Sequence, residues 1–231
     1  MILRSPLRLK TLLETVEGVA AVVSDEDPLP EVDFCCPLLS VPRLLRPDQA
    51  IPTEIPYIRA DSIKAAWWRA RLSHLPPGLR VGLTWGSHSK NRQPSLRKSI
   101  PVELFSQLGN IPNITLCSLQ KGPFPVDTRR IRLLDLSDEQ HNFADSAGLI
   151  ENLDLVISVD TSVAHLAAAM GKATWVLVPR LPDWRWLPEN VPNRWYPSMR
   201  IFRQRQLHRW DDVVHDVTIA LQALSNRSEG C

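Results

Sequence analysis

Glycine is scarce in this chain, with nine residues in 231. That leaves little room for a Gly-x-Gly-x-x-Gly dinucleotide fingerprint, and none is present. Nor is there a P-loop, a Gly-x-Ser-x-Gly elbow or a His-Glu-x-x-His helix. Cysteine occurs four times, as Cys35, Cys36, Cys117 and Cys231, and never as Cys-x-x-Cys. This excludes the common zinc and thioredoxin-type motifs and reads as reduced, buried thiols of a cytoplasmic protein. His141 and His165 lack metal-ligand spacing from the nearby acids, so neither a metal nor a cofactor is expected. No apolar run approaches the roughly 20 residues that cross a bilayer. The basic start, residues 1–10, has no apolar stretch behind it and is not a signal peptide. Charge of one sign is also lacking: 27 basic and 25 acidic residues leave +2. No global field draws the chain to nucleic acid or acidic lipid. Proline, by contrast, is plentiful at 20, and predicts stiff loops.

What is present has an order. Leu9, Leu12, Leu13 and Val16 recur at helical spacing and predict an amphipathic helix from Ser5 to Glu17, stopped by Gly18. Val19–Val23 and Val32–Cys36 read as short strands, and Pro37–Leu45 as a short helix. Pro47, Pro52 and Pro56 then mark a linker. From Asp61 onward helices and apolar strands alternate. Helices are predicted at Asp61–Leu72, Pro101–Leu108, Phe143–Asn152 and Ser162–Met170, with a last one from Trp210 to Leu224. Strands are predicted at Arg80–Trp85, Ile114–Leu119, Leu155–Val159, Ala173–Val178 and around Ile201, and a short strand or extended piece at Ile131–Leu136. This alternation predicts a parallel sheet covered on both faces, whose ligands bind at the carboxyl ends of the strands. No internal repeat or low-complexity block interrupts it.

Four stretches at those ends can carry chemistry. In Ser158–Gly171 a buried strand ends, Asp160, Thr161 and Ser162 turn, and a helix begins. Its first N–H groups and its dipole suit a phosphate, with His165 on the same face. The plainer reading is ordinary capping of a crossover helix. The loop Gly86–Ser99 holds His88, Lys90, Arg92, Arg97 and Lys98 and no acid, enough charge to meet a diphosphate. It could equally be a solvated basic loop. Ser118–Gly122 offers Gln120 to a base or ribose and Lys121 to a phosphate, or is a polar turn. Asp183–Trp186, with Trp195 and Tyr196, can flank a sugar or base, or close the sheet as core. Asp211 and Asp212 read as the polar first turn of the last helix.

Taken together, Asn152–Gly171, Val81–Trp85, Arg97–Pro101, Ser118–Gly122, Phe143–Asp145, Asp183–Leu187 and Trp195–Arg200 resemble one family. It is the bacterial heptosyltransferase-like glycosyltransferases of GT-B type, of the kind found behind tetratricopeptide repeats. The resemblance runs from about Leu7 to Leu224 and extends, more distantly, to O-linked N-acetylglucosamine transferases. It implies an α/β, GT-B-like fold in which residues 61–225 form a Rossmann-like parallel-sheet C-terminal domain that binds a nucleotide-sugar. Residues 1–60 would be an incomplete N-terminal Rossmann-like domain with its linker, and residues 226–231 a frayed tail.

The resemblance further implies a site. Asp160, Thr161, Ser162 and His165, with Lys90 and Arg92, would hold the donor diphosphate; Gln120, Lys121 and Asp145 would meet the nucleoside. No metal would be needed. The family's first strand and acid-bearing glycine loop would precede Leu7 and are expected to be missing, and the catalytic base with them. The function implied is sugar transfer from a nucleotide-sugar to a glycan, lipid or protein acceptor. The alternative is a non-catalytic nucleotide-binding remnant, or one piece of a split enzyme awaiting an N-terminal partner. Nucleic-acid binding is not expected, since one short basic loop makes no extended basic surface.

Overall fold

The computed structural model describes residues 1–44, 54–87, 97–122, 124, 130–186, 193 and 195–228. Among the described residues, seven strands form two parallel sheets. The small one pairs β1 (Ile2–Ser5) with β2 (Ala21–Ser24). The large one holds β3 (Leu79–Thr84), β4 (Ile114–Ser118), β5 (Leu155–Val159), β6 (Thr174–Val178) and β7 (Arg200–Arg203), in the order β4-β3-β5-β6-β7. Every residue of β5 and β6 is buried, as strands covered on both faces must be.

Alternation along the strands splits the core. Leu155, Ile157 and Val159 of β5, with Trp175 and Leu177 of β6, pack toward α6 (Asp211–Ser228) through Val213, Val217 and Leu221. The 3₁₀ helix Val102–Asn110 joins that face through Phe105 and Leu108. On the other face Val156 meets α3 (Ser62–Leu72) and α4 (Phe143–Glu151), through Trp68, Leu72, Leu149 and Ile150. A third cluster gathers Ala164 and Ala168 of α5 (Ser162–Ala169) against Val176, Val178, Trp186 and Tyr196. Helices α3 and α4 approach closely because Gly148 has no side chain: a Cβ there would stand 2.9 Å from the Trp68 ring.

The N-terminal segment departs from expectation in several ways. A strand, β1, does precede Leu7, because β2 lies parallel beside it and exchanges backbone hydrogen bonds with it. The helix expected over Ser5–Glu17 is only a 3₁₀ turn, Leu7–Leu9, and one turn of α1 (Lys10–Leu13). Ser5 is spent in β1, and the Thr15 hydroxyl donates to the Leu12 carbonyl at 2.7 Å beyond the helix end. Val32–Cys36 forms no strand. Prolines 28, 30 and 37 surround it, no strand partners it, and Phe34 stays 94% exposed. Pro37–Leu45 resolves into a 3₁₀ turn, Leu38–Ser40, and α2 (Val41–Leu44).

Other expectations are revised further along the chain. Cys35 and Cys36 are exposed rather than buried; among the described cysteines Cys117 sits inside, where burial pushes its thiol up to about 12. Of the two readings of Ile131–Leu136, short strand or extended piece, the structure shows the second, with a single bridge from Leu134 to Cys117. The C-terminal helix continues to Ser228 instead of fraying after Ser225, whose hydroxyl donates to the Pro112 carbonyl at 2.8 Å. Among the described residues no helix is long and apolar enough to cross a membrane.

Candidate functional site

The strand order of the large sheet reverses between β3 and β5: from β3 the chain goes outward to β4, then returns to the other side of β3 as β5. Such a switch point leaves a crevice at the carboxyl ends of its two strands. Here those ends are Thr84 and Val159, with Thr84 in register with Ser158. The Thr84 hydroxyl is buried there without a hydrogen-bond partner.

On the β5 side, α5 begins directly after the turn. Thr161 is its N-cap in extended conformation, yet its side chain makes no capping bond. The hydroxyl instead pairs with Ser158 Oγ at 3.1 Å. Capping by Thr161, one of the readings of the sequence, is therefore not what the structure shows. The first turn of α5 keeps its N–H groups uncapped by any side chain, and Ser162 is exposed beside them. Such an end carries partial positive charge from the helix dipole.

On the β3 side, the ends of the basic loop are pinned. Ser87 N–H donates to Ser99 Oγ and Ser99 Oγ to the Ser87 carbonyl, both at 3.1 Å. Ile100 N–H donates to the Trp85 carbonyl at 2.9 Å. This holds Lys98 at the switch point, where its Nζ meets Asp160 Oδ2 at 2.5 Å. The Asp160 side chain is 4% exposed and that of Lys98 22%. Asp160, expected to touch the diphosphate, is a buried anion that orients Lys98. Lys90 and Arg92, the cations singled out in this loop, lie outside the described residues.

His165 stands one turn into α5. Its Nε2 is 3.9 Å from Asp160 Oδ1 and its Nδ1 is 3.2 Å from Tyr196 Oη. Its ring stacks on Trp186, 22° from parallel with centroids 5.4 Å apart. Burial holds its pKa below the usual imidazole value. Arg185 and Lys98 push the same way, while Asp160 and Asp183 oppose. The ring is therefore neutral near pH 7. Tyr196 continues to Tyr57 Oη at 3.3 Å, and burial raises its phenol pKa. The loop of Trp186 and Tyr196 thus closes the sheet end as core, one of the two readings its sequence allowed, and at the same time grips His165. The outer rings, Trp184 and Trp195, meet edge to face.

The three residues expected to meet a nucleoside also have partners within the chain. Gln120 Oε1 accepts from Trp85 N–H at 3.0 Å and Gly86 N–H at 2.7 Å. Its Nε2 donates to the carbonyls of Gly86 and Lys121. All its hydrogen-bonding capacity shapes the turn after β3. Lys121 Nζ reaches the Ser137 carbonyl at 2.5 Å. Asp145 closes a capping box with Asn142 at the start of α4 and pairs with Lys64 Nζ at 2.5 Å. Burial opposes its ionisation, but the Lys64 bond and the N–H groups of His141 and Asn142 outweigh it and lower its pKa. Of the groups gathered here, Lys98, Trp186 and Tyr196 were read only as members of their loops, and Tyr57 was not singled out at all.

A doubly wound α/β sheet with an uncapped helix and a cation at its switch point defines a class of anion-binding folds. Within that class the comparisons are specific. Residues 140–177, from the end of the loop before α4 through β6, match glycosyltransferase family 9 (heptosyltransferase). The chain is 29% identical over 187 residues to the protein FlbA of Caulobacter vibrioides, covering 77% of this chain and 31% of FlbA. Its fold is similar to that of ADP-heptose lps heptosyltransferase II from E. coli. The TM-score is 0.55 at 14% identity, over 78% of this chain and 56% of that one. A glycosyltransferase family 9 structure from Veillonella parvula aligns at 10% identity with a TM-score of 0.45, over 64% of this chain and 42% of that one. The chain thus spans under a third of the length of FlbA and just over half of the E. coli enzyme.

Proposed function

We propose that this chain provides the donor side of a sugar-transferring enzyme and holds the diphosphate of a nucleotide-sugar at the start of α5. The observation that carries this reading is the uncapped first turn of α5 facing Lys98 across the β3–β5 switch point. Backbone N–H groups there would donate to the phosphoryl oxygens, and Lys98, oriented by Asp160, would add a positive charge. His165, neutral, would offer a further N–H.

Sugar transfer leaves a nucleoside diphosphate whose negative charge grows as the glycosidic bond breaks. Preorganised donors at that position stabilise the transition state more than the ground state. The acceptor hydroxyl also needs a base within hydrogen-bond reach. No side chain of the described site is assigned that task, so turnover is proposed for the chain together with acceptor-side groups. The match to family 9 and the fold shared with a heptosyltransferase support sugar transfer over other uses of an anion site. A donor of this kind also supports a cytoplasmic setting.

The test is calorimetric titration of the full chain with UDP, GDP, ADP and CMP. One diphosphate should bind with micromolar affinity and CMP far more weakly. A cooperatively folded chain that binds none of them would remove the reading.

A further inference from the structure

The hydrogen bonds around His165 can run in either direction, and the carboxylate of Asp160 favours one of them. Asp160 Oδ1 lies 3.9 Å from Nε2, too far for a bond but close enough for a carboxylate to attract an N–H and repel a lone pair. Asp160 is buried with its other oxygen on Lys98, so its charge faces the ring across little solvent. With the proton on Nε2, Nδ1 of the neutral ring is an acceptor. The Tyr196 hydroxyl, 3.2 Å away, must then donate to it. That commits the Tyr196 proton, so at the 3.3 Å contact Tyr57 is the donor. The stack on Trp186 opposes rotation of the imidazole away from this arrangement. Tyr57 is 43% exposed and belongs to the segment leading into α3. That segment is itself tied to α5, since the N–H of Tyr57 donates to the Ala169 carbonyl at 3.1 Å.

We propose that Tyr57 and Tyr196 are positioning residues that hold His165 as the Nε2–H tautomer, so that the segment before α3 sets the donor presented at the α5 N-terminus. Its bearing on ligand rests on the diphosphate reading above. The relay itself does not, because it is complete in the chain alone. Its consequence is that residues never touching the ligand control the direction in which His165 donates.

Long-range ¹H–¹⁵N correlation spectra of histidine-labelled full chain test this, with the His165 signal assigned by its loss in His165→Gln. The unliganded wild type should show a protonated Nε2 and a bare Nδ1. Tyr196→Phe should move the signals toward a mixture of tautomers and weaken nucleoside diphosphate binding about three- to tenfold, as expected for one hydrogen bond. Tyr57→Phe should shift them in the same sense, with about threefold or less in affinity. A proton on Nδ1 in the wild type overturns the proposal, and needs no variant to fold. So does a tautomer unchanged in Tyr196→Phe. A bare Nδ1 in a chain that binds no nucleotide would sustain the relay while removing the diphosphate reading.

Discussion

Lys98 and Asp160 set the charge at the switch point, and they depend on each other. Removing only the cation leaves a carboxylate buried without its partner. Lys98→Met should therefore cost about 3 kcal/mol of stability in denaturant unfolding, and should lower nucleoside diphosphate affinity tenfold or more through the lost charged contact. Lys98→Met with Asp160→Asn should regain much of the stability and none of the affinity; recovery of both would show that Lys98 serves only the fold. Nothing in spacing picks Lys98 out of a loop of cations. Its partner lies 62 positions away, and only the β4-β3-β5 order brings the two together. Asp160, Thr161, Ser162 and His165 were legible because the end of a buried strand followed by small polar residues and a helix is a local pattern. The roles of Tyr57 and Tyr196 were not, because a hydrogen bond between residues 139 apart leaves no periodic trace.

At the scale of single elements, the polar residues at strand and helix ends show how structural and ligand-holding tasks look alike in sequence. Gln120 and Asp145 sit where ligand residues sit, yet the structure uses them to hold backbone. Asp145 makes a test. Its folded pKa lies below the ordinary 3.8, so the unfolded chain binds its proton more readily. Its stabilisation is full above about pH 5, shrinks as pH falls through 3.8 and is gone once pH passes below the folded value. Asp145→Asn should flatten the acid side of a stability profile and change little of its slope above about pH 6. An unchanged acid limb would contradict the Lys64 pairing. Asn142→Ala, which removes the other half of the capping box, should cost about 1 kcal/mol at neutral pH. Strands followed the same logic. β5 and β6 were legible as apolar runs, whereas Val32–Cys36 has the composition of a strand and no partner to pair with.

At the scale of the whole molecule, two sheets share one packing scheme. A two-stranded parallel sheet is marginal alone, and β1–β2 is anchored by Leu12, 4% exposed among Trp68, Leu72, Leu149 and Ile150. Leu12→Ala should cost about 3 kcal/mol and speed amide exchange in β1 and β2 while β5 stays protected. Equal loss of protection in both sheets would mean they unfold as one unit. A parallel sheet covered on both faces was legible in the alternation of strands and helices; its order, β4-β3-β5-β6-β7, was not. The extent of the N-terminal part was not, because β1 is only four residues long and its apolar signal is weak.

The proposed anion site joins the start of α5 to the turn after β3, and amide chemical-shift mapping during titration with the diphosphate that binds is its sharpest test. The largest shifts should fall at Ser162–His165 and Trp85–Ser87, with Lys98 beside them, and inorganic pyrophosphate at higher concentration should move the same amides. Binding that leaves those amides still and shifts residues elsewhere would contradict it.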